Sequence, residues 1–149
     1  MKLLIDTNII LEVILQRERF EQANRLLDTL HDDGHELFIT PGSFYGLLFT
    51  VDKYLRKVML MENPRRTDTV RSIMKQVLSV VDVAGQDKKT FLDAIQDFNF
   101  MDLEDSCQHQ TAVKQNCDYL LTFNVKDFTG SVIPVLPPEE YLSRMRPEI

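Results

Sequence analysis

The chain predicts an α/β domain built on a mostly parallel sheet, and three observations carry that expectation. Short apolar runs alternate with amphipathic, helix-length segments along the sequence. The first run, Lys2-Leu3-Leu4-Ile5, ends in Asp6-Thr7-Asn8, so a strand hands an acid to a helix. Further acids follow strands or open helices later in the chain. In open α/β sheets the carboxyl edge of the strands is where ligands bind, which makes that edge the place to look for function.

Each element has its own warrant. Leu3 to Asp6 reads as a buried strand, and Thr7 or Asn8 can cap a helix through Ile9, Ile10, Val13 and Ile14. Phe20, Ala23, Leu27 and Leu30 keep helical spacing, with Gly34 soon after. Glu36 to Thr40 reads as a second strand, stopped by Pro41-Gly42. Phe44 to Val58 is a helix apolar on nearly every face, which suits a central helix or an interface with a second copy or another protein. Pro64 opens a helix that is basic outside, with Val70, Ile73, Met74 and Val77 inside. Leu78 to Val83 reads as a strand closed by Gly85. Phe91, Ala94, Ile95 and Phe98 mark a further helix, and Asp102 starts another that runs to about Gln115. Tyr119 to Thr122 is a strand, and Ser131 to Val135 a short or edge strand because it contains Pro134. Pro137-Pro138 opens a last helix.

The 149 residues suit a single domain, 1–149, large enough to bury a core. No run approaches the about 20 apolar residues of a membrane span, and the amino-terminal run, broken by Asp6 and Glu12, does not read as a signal peptide. A cytoplasmic location is therefore expected. Cys107 and Cys117 read as reduced small hydrophobes, and His31, His35 and His109 have no zinc-ligand spacing. The net charge of −6 is unevenly spread. Between Lys53 and Lys75 seven bases (Lys53, Arg56, Lys57, Arg65, Arg66, Arg71, Lys75) face two acids, a local +5 that leaves −11 elsewhere. From Thr90 to Val113 there is no Lys or Arg, while Asp93, Asp97, Asp102, Glu104 and Asp105 crowd together. One acidic focus and one basic flank suit a protein that holds cations in one place and phosphates in another. The plainer reading of the basic stretch is a solvated helix face.

Asp6 and Asp127 share one rim by topology, because parallel strands share a carboxyl edge. Asp105 joins them if its helix starts on that rim. Taken singly each acid has an ordinary explanation: Asp6 as a helix cap, Asp102 and Asp105 as an Asp-x-x-Asp capping arrangement, Glu104 as an exposed residue, Asp127 as an Asx-turn. Taken together they form a site of hard oxygen ligands, which selects Mg²⁺ or Mn²⁺ and suits phosphodiester hydrolysis.

Three segments, in this order, resemble one known family. Asp6-Thr7-Asn8 after the leading strand, Asp102-Leu103-Glu104-Asp105-Ser106 at a helix start, and Leu121-Thr122-Phe123-Asn124-Val125-Lys126-Asp127-Phe128 are similar to the PIN domain, above all to its single-domain bacterial form related to VapC-type toxins. The similarity extends to the closing Ile133-to-Leu142 stretch. The resemblance implies a three-layer α/β/α sandwich and a Mg²⁺- or Mn²⁺-dependent endoribonuclease leaving 5′-phosphate and 3′-hydroxyl ends. It also implies a cognate antitoxin and a homodimer. Carried over by position, Asp6, Asp105 and Asp127 match the metal-binding acids, and Asn8 and Thr122 the polar residues that support them, with Asn124 alongside. The basic residues Lys53, Arg56, Lys57, Arg65 and Arg66 are placed to follow an RNA backbone.

One departure stands out. The family usually carries an acid, most often Glu, in the helix after the second strand. Here Ser43-Phe44-Tyr45-Gly46-Leu47-Leu48-Phe49 has none, and Gly46 occupies about that position. Glu104 or Asp102 are candidates to complete the set. The alternative is a PIN domain that binds RNA or protein without cutting. A receiver-like module or an Asp-x-Asp phosphatase is disfavoured, since Asn8 stands where the phosphatase needs its second acid.

Overall fold

In a computed structural model that describes residues 1–145, Leu3, Leu4 and Ile5 have no exposed surface. Their strand, β1 (Lys2–Ile5), therefore takes the centre of the sheet. β2 (Glu36–Ile39), β3 (Asp82–Val83), β4 (Tyr119–Leu121) and β5 (Val135–Leu136) complete it, all parallel, in the order β3-β2-β1-β4-β5. Leu4 lies level with Phe38 on one side and Leu120 on the other. Chain order reverses between β1 and β4, the position at which open α/β sheets form their ligand crevice.

Alternation along the strands assigns the two faces. Leu3, Ile5, Leu37, Ile39 and Leu121 point into a core made with α1 (Thr7–Ile14), α2 (Phe20–Asp32), α3 (Pro41–Lys57), α4 (Arg65–Val80) and α7 (Pro138–Met145). Leu4, Phe38 and Leu120 point the other way, onto Phe100, Ala112, Cys117 and Phe128, where α6 (Leu103–Lys114) and a 3-10 turn (Val125–Phe128) pack, with α5 (Lys88–Ile95) against α6. This is the parallel α/β architecture that the sequence predicts, in the three-layer form that the family resemblance implies. At about 1.5–3 kcal/mol for each fully buried Leu or Ile, the two cores hold the sheet rim rigid beneath the loops. Among the described residues no helix is long and apolar enough to cross a membrane.

The structure corrects several boundaries. Leu78 to Val80 is the last turn of α4 rather than strand, because Val70, Met74 and Val77 carry the 3.6-residue period to that point; only Asp82 and Val83 join the sheet. The last strand is Val135–Leu136 rather than Ser131 to Val135. The Ser131 hydroxyl donates to the Ile133 carbonyl and accepts from the Ile133 N–H, closing a local turn where ladder bonds would form. Pro41 ends β2 and also begins α3 at the first helical position, capped by Thr40, whose hydroxyl accepts the Ser43 N–H. The apolar helix is central on one face only. Ser43, Leu47, Val51 and Leu55 are buried, while Tyr45 and Phe49 are about 70% and 68% exposed.

Two contacts hold the connecting loops close to the sheet rim. A Cβ on Gly130 would stand 2.7 Å from the Asn99 Cβ and 2.9 Å from its carbonyl oxygen, so only glycine lets the loop after the 3-10 turn approach the one before α6. Between α1 and α2, the buried Glu12 accepts the Arg19 N–H at 2.9 Å, and the Arg19 guanidinium lies 4.0 Å from the centre of the Phe123 ring.

Candidate active site

A polar cleft of about 350 Å³ opens at the carboxyl edge, lined by Asp6, Asn8, Asp102, Glu104, Asp105, Gln108, Asn124 and Asp127 from one set of elements and by Gly46 and Thr50 from α3. The five candidate-site acids Asp6, Asp102, Glu104, Asp105 and Asp127 are thus on one concave surface, while Asp93, part of the same acidic stretch, lies outside it and pairs with Lys89 and Lys114. Asp6 follows β1 directly and holds the cap position of α1, yet its side chain does not cap that helix. It is 5% exposed and engaged elsewhere: Thr122 Oγ1 donates to Oδ2 at 2.7 Å and Gln108 Nε2 donates to Oδ1 at 3.2 Å. Burying a carboxylate is costly unless hydrogen bonds replace its water, and here both oxygens have a donor. The ordinary cap explanation fails for Asp6.

Thr122 does more than contact Asp6. Its hydroxyl also accepts the Asn124 N–H at 3.0 Å, so one side chain sets the position of the acid and the path of the loop that carries Asn124 and Asp127. On the other flank, Thr7 Oγ1 donates to the Ser43 hydroxyl at 2.7 Å and ties the start of α1 to the start of α3. Asp127 sits exposed in the 3-10 turn, at the outer lip of the cleft.

Asp102 has the role that the plainer reading assigned it. It is the cap of α6, and its Oδ1 accepts the Asp105 N–H at 3.0 Å. That cap fixes where α6 begins and so delivers Asp105 to the rim. Glu104 projects from the same first turn. Burial, followed by the charges of Asp102, Asp6, Asp127 and Glu104, pushes the Asp105 carboxyl up to about 7. Among the described residues none donates a hydrogen bond to that carboxyl. Asp105 therefore registers the whole cluster as repulsion, which a cation among the acids would relieve.

The donor set bears on which cation fits. Among the described residues no three His, Cys, Asp or Glu side chains converge closely enough to cage a metal ion. An ion that demands a protein cage is unsuited to this cleft. Mg²⁺ keeps several waters and needs only one or two carboxylates directly, and the wide acid-lined cleft suits a hydrated ion of that kind. Gly46 lines the cleft where an acid is expected from the resemblance, and a Cβ built on it meets no atom within 4 Å.

Two parts of the site differ from the sequence reading. Gln108 was not anticipated, although it lies three residues after Asp105 on one helix face. Arg66 was expected on an RNA path, but its Nε donates to Asp52 Oδ1 at 3.0 Å and its Nη1 to the Met61 carbonyl, so it braces α3 against α4. Lys53, Arg56, Lys57 and Arg65 remain exposed, outside the cleft lining.

Comparison with known proteins agrees with the fold. A chain of VapBC2 from Rickettsia felis, bound to a DNA fragment from its promoter, superposes with a TM-score of 0.67 at 17% identity, over 91% of this chain and 97% of that one. A toxin–antitoxin complex from Klebsiella pneumoniae gives 0.65 at 20% identity, over 91% and 96%. VapBC-1 from nontypeable Haemophilus influenzae gives 0.66 at 17%, over 93% and 99%. No curated protein sequence matches. The family model of the PIN domain matches residues 2–126. This chain belongs to the PIN domain family.

Proposed function

We propose that this protein is a divalent-metal-dependent endoribonuclease, using Mg²⁺ or Mn²⁺, and the toxin half of a toxin–antitoxin pair. The observation that carries the reading is Asp6, a buried acid whose two oxygens are fixed by Thr122 and Gln108 beside an Asp105 raised to about 7 by its neighbours. A fold uses its hydrogen bonds this way to preorganise a ligand rather than to stabilise itself. In this reading Asp6, Asp105 and Asp127 hold the ion, with Glu104 or Asp102 completing the set. Bound there, the metal supplies charge neutralisation at the scissile phosphate and activation of water. The chain's own residues place it: Thr122 and Gln108 orient Asp6, the Asp102 cap positions Asp105, and Asn8 and Asn124 offer polar groups along the cleft. Lys53, Arg56, Lys57 and Arg65 would hold the RNA backbone outside the acidic floor.

The toxin assignment and an antitoxin partner rest on likeness to the toxin–antitoxin structures; a homodimeric state rests on the family resemblance alone. A second reading, a PIN domain that binds without cutting, is favoured by Gly46 and by the absence, among the described residues, of three converging ligands. An RNA cleavage assay with Mn²⁺, compared with chelator and with Asp6→Asn, separates the two. Metal-dependent cleavage lost in Asp6→Asn is expected; cleavage that survives the substitution rules the nuclease reading out, and wild-type protein that binds Mn²⁺ without cutting RNA supports the second.

A further inference from the structure

We infer that the exposed face of α3 is a stacking platform for unpaired bases of an RNA strand entering the cleft, with Tyr45 and Phe49 as its rings. This rests on the nuclease reading for the identity of the substrate, but its residues lie outside the acid cluster.

Tyr45, Phe49, Lys53 and Arg56 recur at three- and four-residue intervals, so they form one stripe along the helix. All four are exposed. Both rings are braced. Tyr45 meets the half-buried Phe44 edge-on, with centroids 5.9 Å apart, and Lys53 Nζ lies 5.9 Å from the Phe49 ring centre. Gly46 and Thr50, the next residue after each ring, line the cleft. The stripe is therefore the immediate bank of the site on its α3 side.

Charge decides the occupant. The cleft floor is acidic and repels phosphate, so a nucleic-acid chain has to be held from its banks. Among the described residues Lys53, Arg56 and Lys57 make no ion pair, which leaves three cations directly beyond two rings. Rings followed in line by cations are the composition of single-strand binding surfaces, in which the bases stack and the backbone follows the charge. Spacing agrees: four residues of helix separate the rings by about 6 Å along the axis. Stacked bases in a duplex lie about 3.4 Å apart, so the two rings accept successive bases only from an unstacked strand.

The test uses the full chain carrying Asp6→Asn, so that RNA is not consumed, with a fluorescein-labelled oligoribonucleotide of mixed sequence, single-stranded or annealed to its complement. Adding Tyr45→Ala and Phe49→Ala is expected to weaken single-strand binding about 10- to 100-fold, leaving duplex binding and thermal stability unchanged. Because the chain has no Trp, Tyr45→Trp provides a single reporter whose emission the single strand quenches. Unchanged single-strand affinity, or an equal loss for duplex, overturns the proposal. So does a variant that changes only its sedimentation, which would assign the face to a second copy. Cleavage by the unsubstituted protein is scored separately, so loss of the nuclease reading and loss of the platform are distinguishable.

Discussion

Replacing Asp105 by Asn is expected to stabilise the metal-free protein, and to do so only above mildly acidic pH. Asp105 ionises near 3.8 when free and at about 7 in the fold, raised first by burial and then by Asp102, Asp6, Asp127 and Glu104. Below the lower value folded and unfolded chains both carry the proton, and the carboxyl has no effect. Between about 4 and about 7 the unfolded chain releases a proton that the folded chain keeps, so stability falls as pH rises. Above about 7 the loss is constant. A span of about three pH units at about 1.4 kcal/mol each caps the cost near 4 kcal/mol. Asp105 is only partly buried and water screens its neighbours, so about 1–2 kcal/mol is the expected gain for Asp105→Asn. In a chain of this length that is a rise in Tm of about 3–6 °C. The assay is thermal or urea unfolding in chelator at about pH 8 and again at about pH 5. The gain should be full at the higher pH and cut to about two-fifths at the lower. Adding Mg²⁺ at about pH 8 should raise the unsubstituted protein more than the variant. An Asp105→Asn protein no more stable than its parent at about pH 8 would refute the argument that the acids crowd one another. A gain equal at both pH values would refute the electrostatic cause.

The remaining predictions concern the same cleft. Gly46→Glu adds a carboxylate to its α3 wall where a Cβ meets no atom within 4 Å. Losing a mid-helix glycine contributes about 0.5–1 kcal/mol of stability, and Mn²⁺ affinity measured by calorimetry should rise; unchanged affinity would mean that this wall does not face the ion. Gln108→Leu removes a donor to Asp6 Oδ1 together with a buried Gln108 Oε1 that has no partner. Folding stability should fall by about 1–3 kcal/mol, because the buried Asp6 Oδ1 loses its donor, less what removal of the unpartnered Oε1 returns, while Mn²⁺ affinity falls about 10- to 100-fold, as for other residues that orient a ligand. A large drop in Tm with unchanged metal binding would make Gln108 a packing residue instead.

What could be read from the residues alone follows from how local each cause is. The strand-to-helix passage at Ile5-Asp6-Thr7 and the helix start at Asp102 are written in neighbouring residues: an apolar run, then a side chain that suits a cap. The α6 start is where it was expected; α1 begins at Thr7 itself, with Asp6 in the cap position in place of the expected Thr7 or Asn8, and no side chain caps it. The stretch from Leu78 to Val83 is ambiguous locally, because Leu78, Val80 and Val81 satisfy a strand pattern as well as the tail of a helix. The choice was made by Val70, Met74 and Val77, whose burial carries the helical period forward. Gln108 is silent in the sequence for the opposite reason. A glutamine in a helix ordinarily faces water, and only tertiary packing, which brings Asp6 from a position 102 residues earlier, makes it a buried donor. The same logic separates the two sides of α3. Its composition announced an apolar helix, but which residues the core absorbs depends on the sheet beneath: Leu47, Val51 and Leu55 are covered, and Tyr45 and Phe49 are left beside the cleft. Near the site, then, acids placed by chain topology were legible. The uncharged residues that hold them or flank them, Gln108, Ser43, Tyr45 and Phe49, acquire a role only once the layers close.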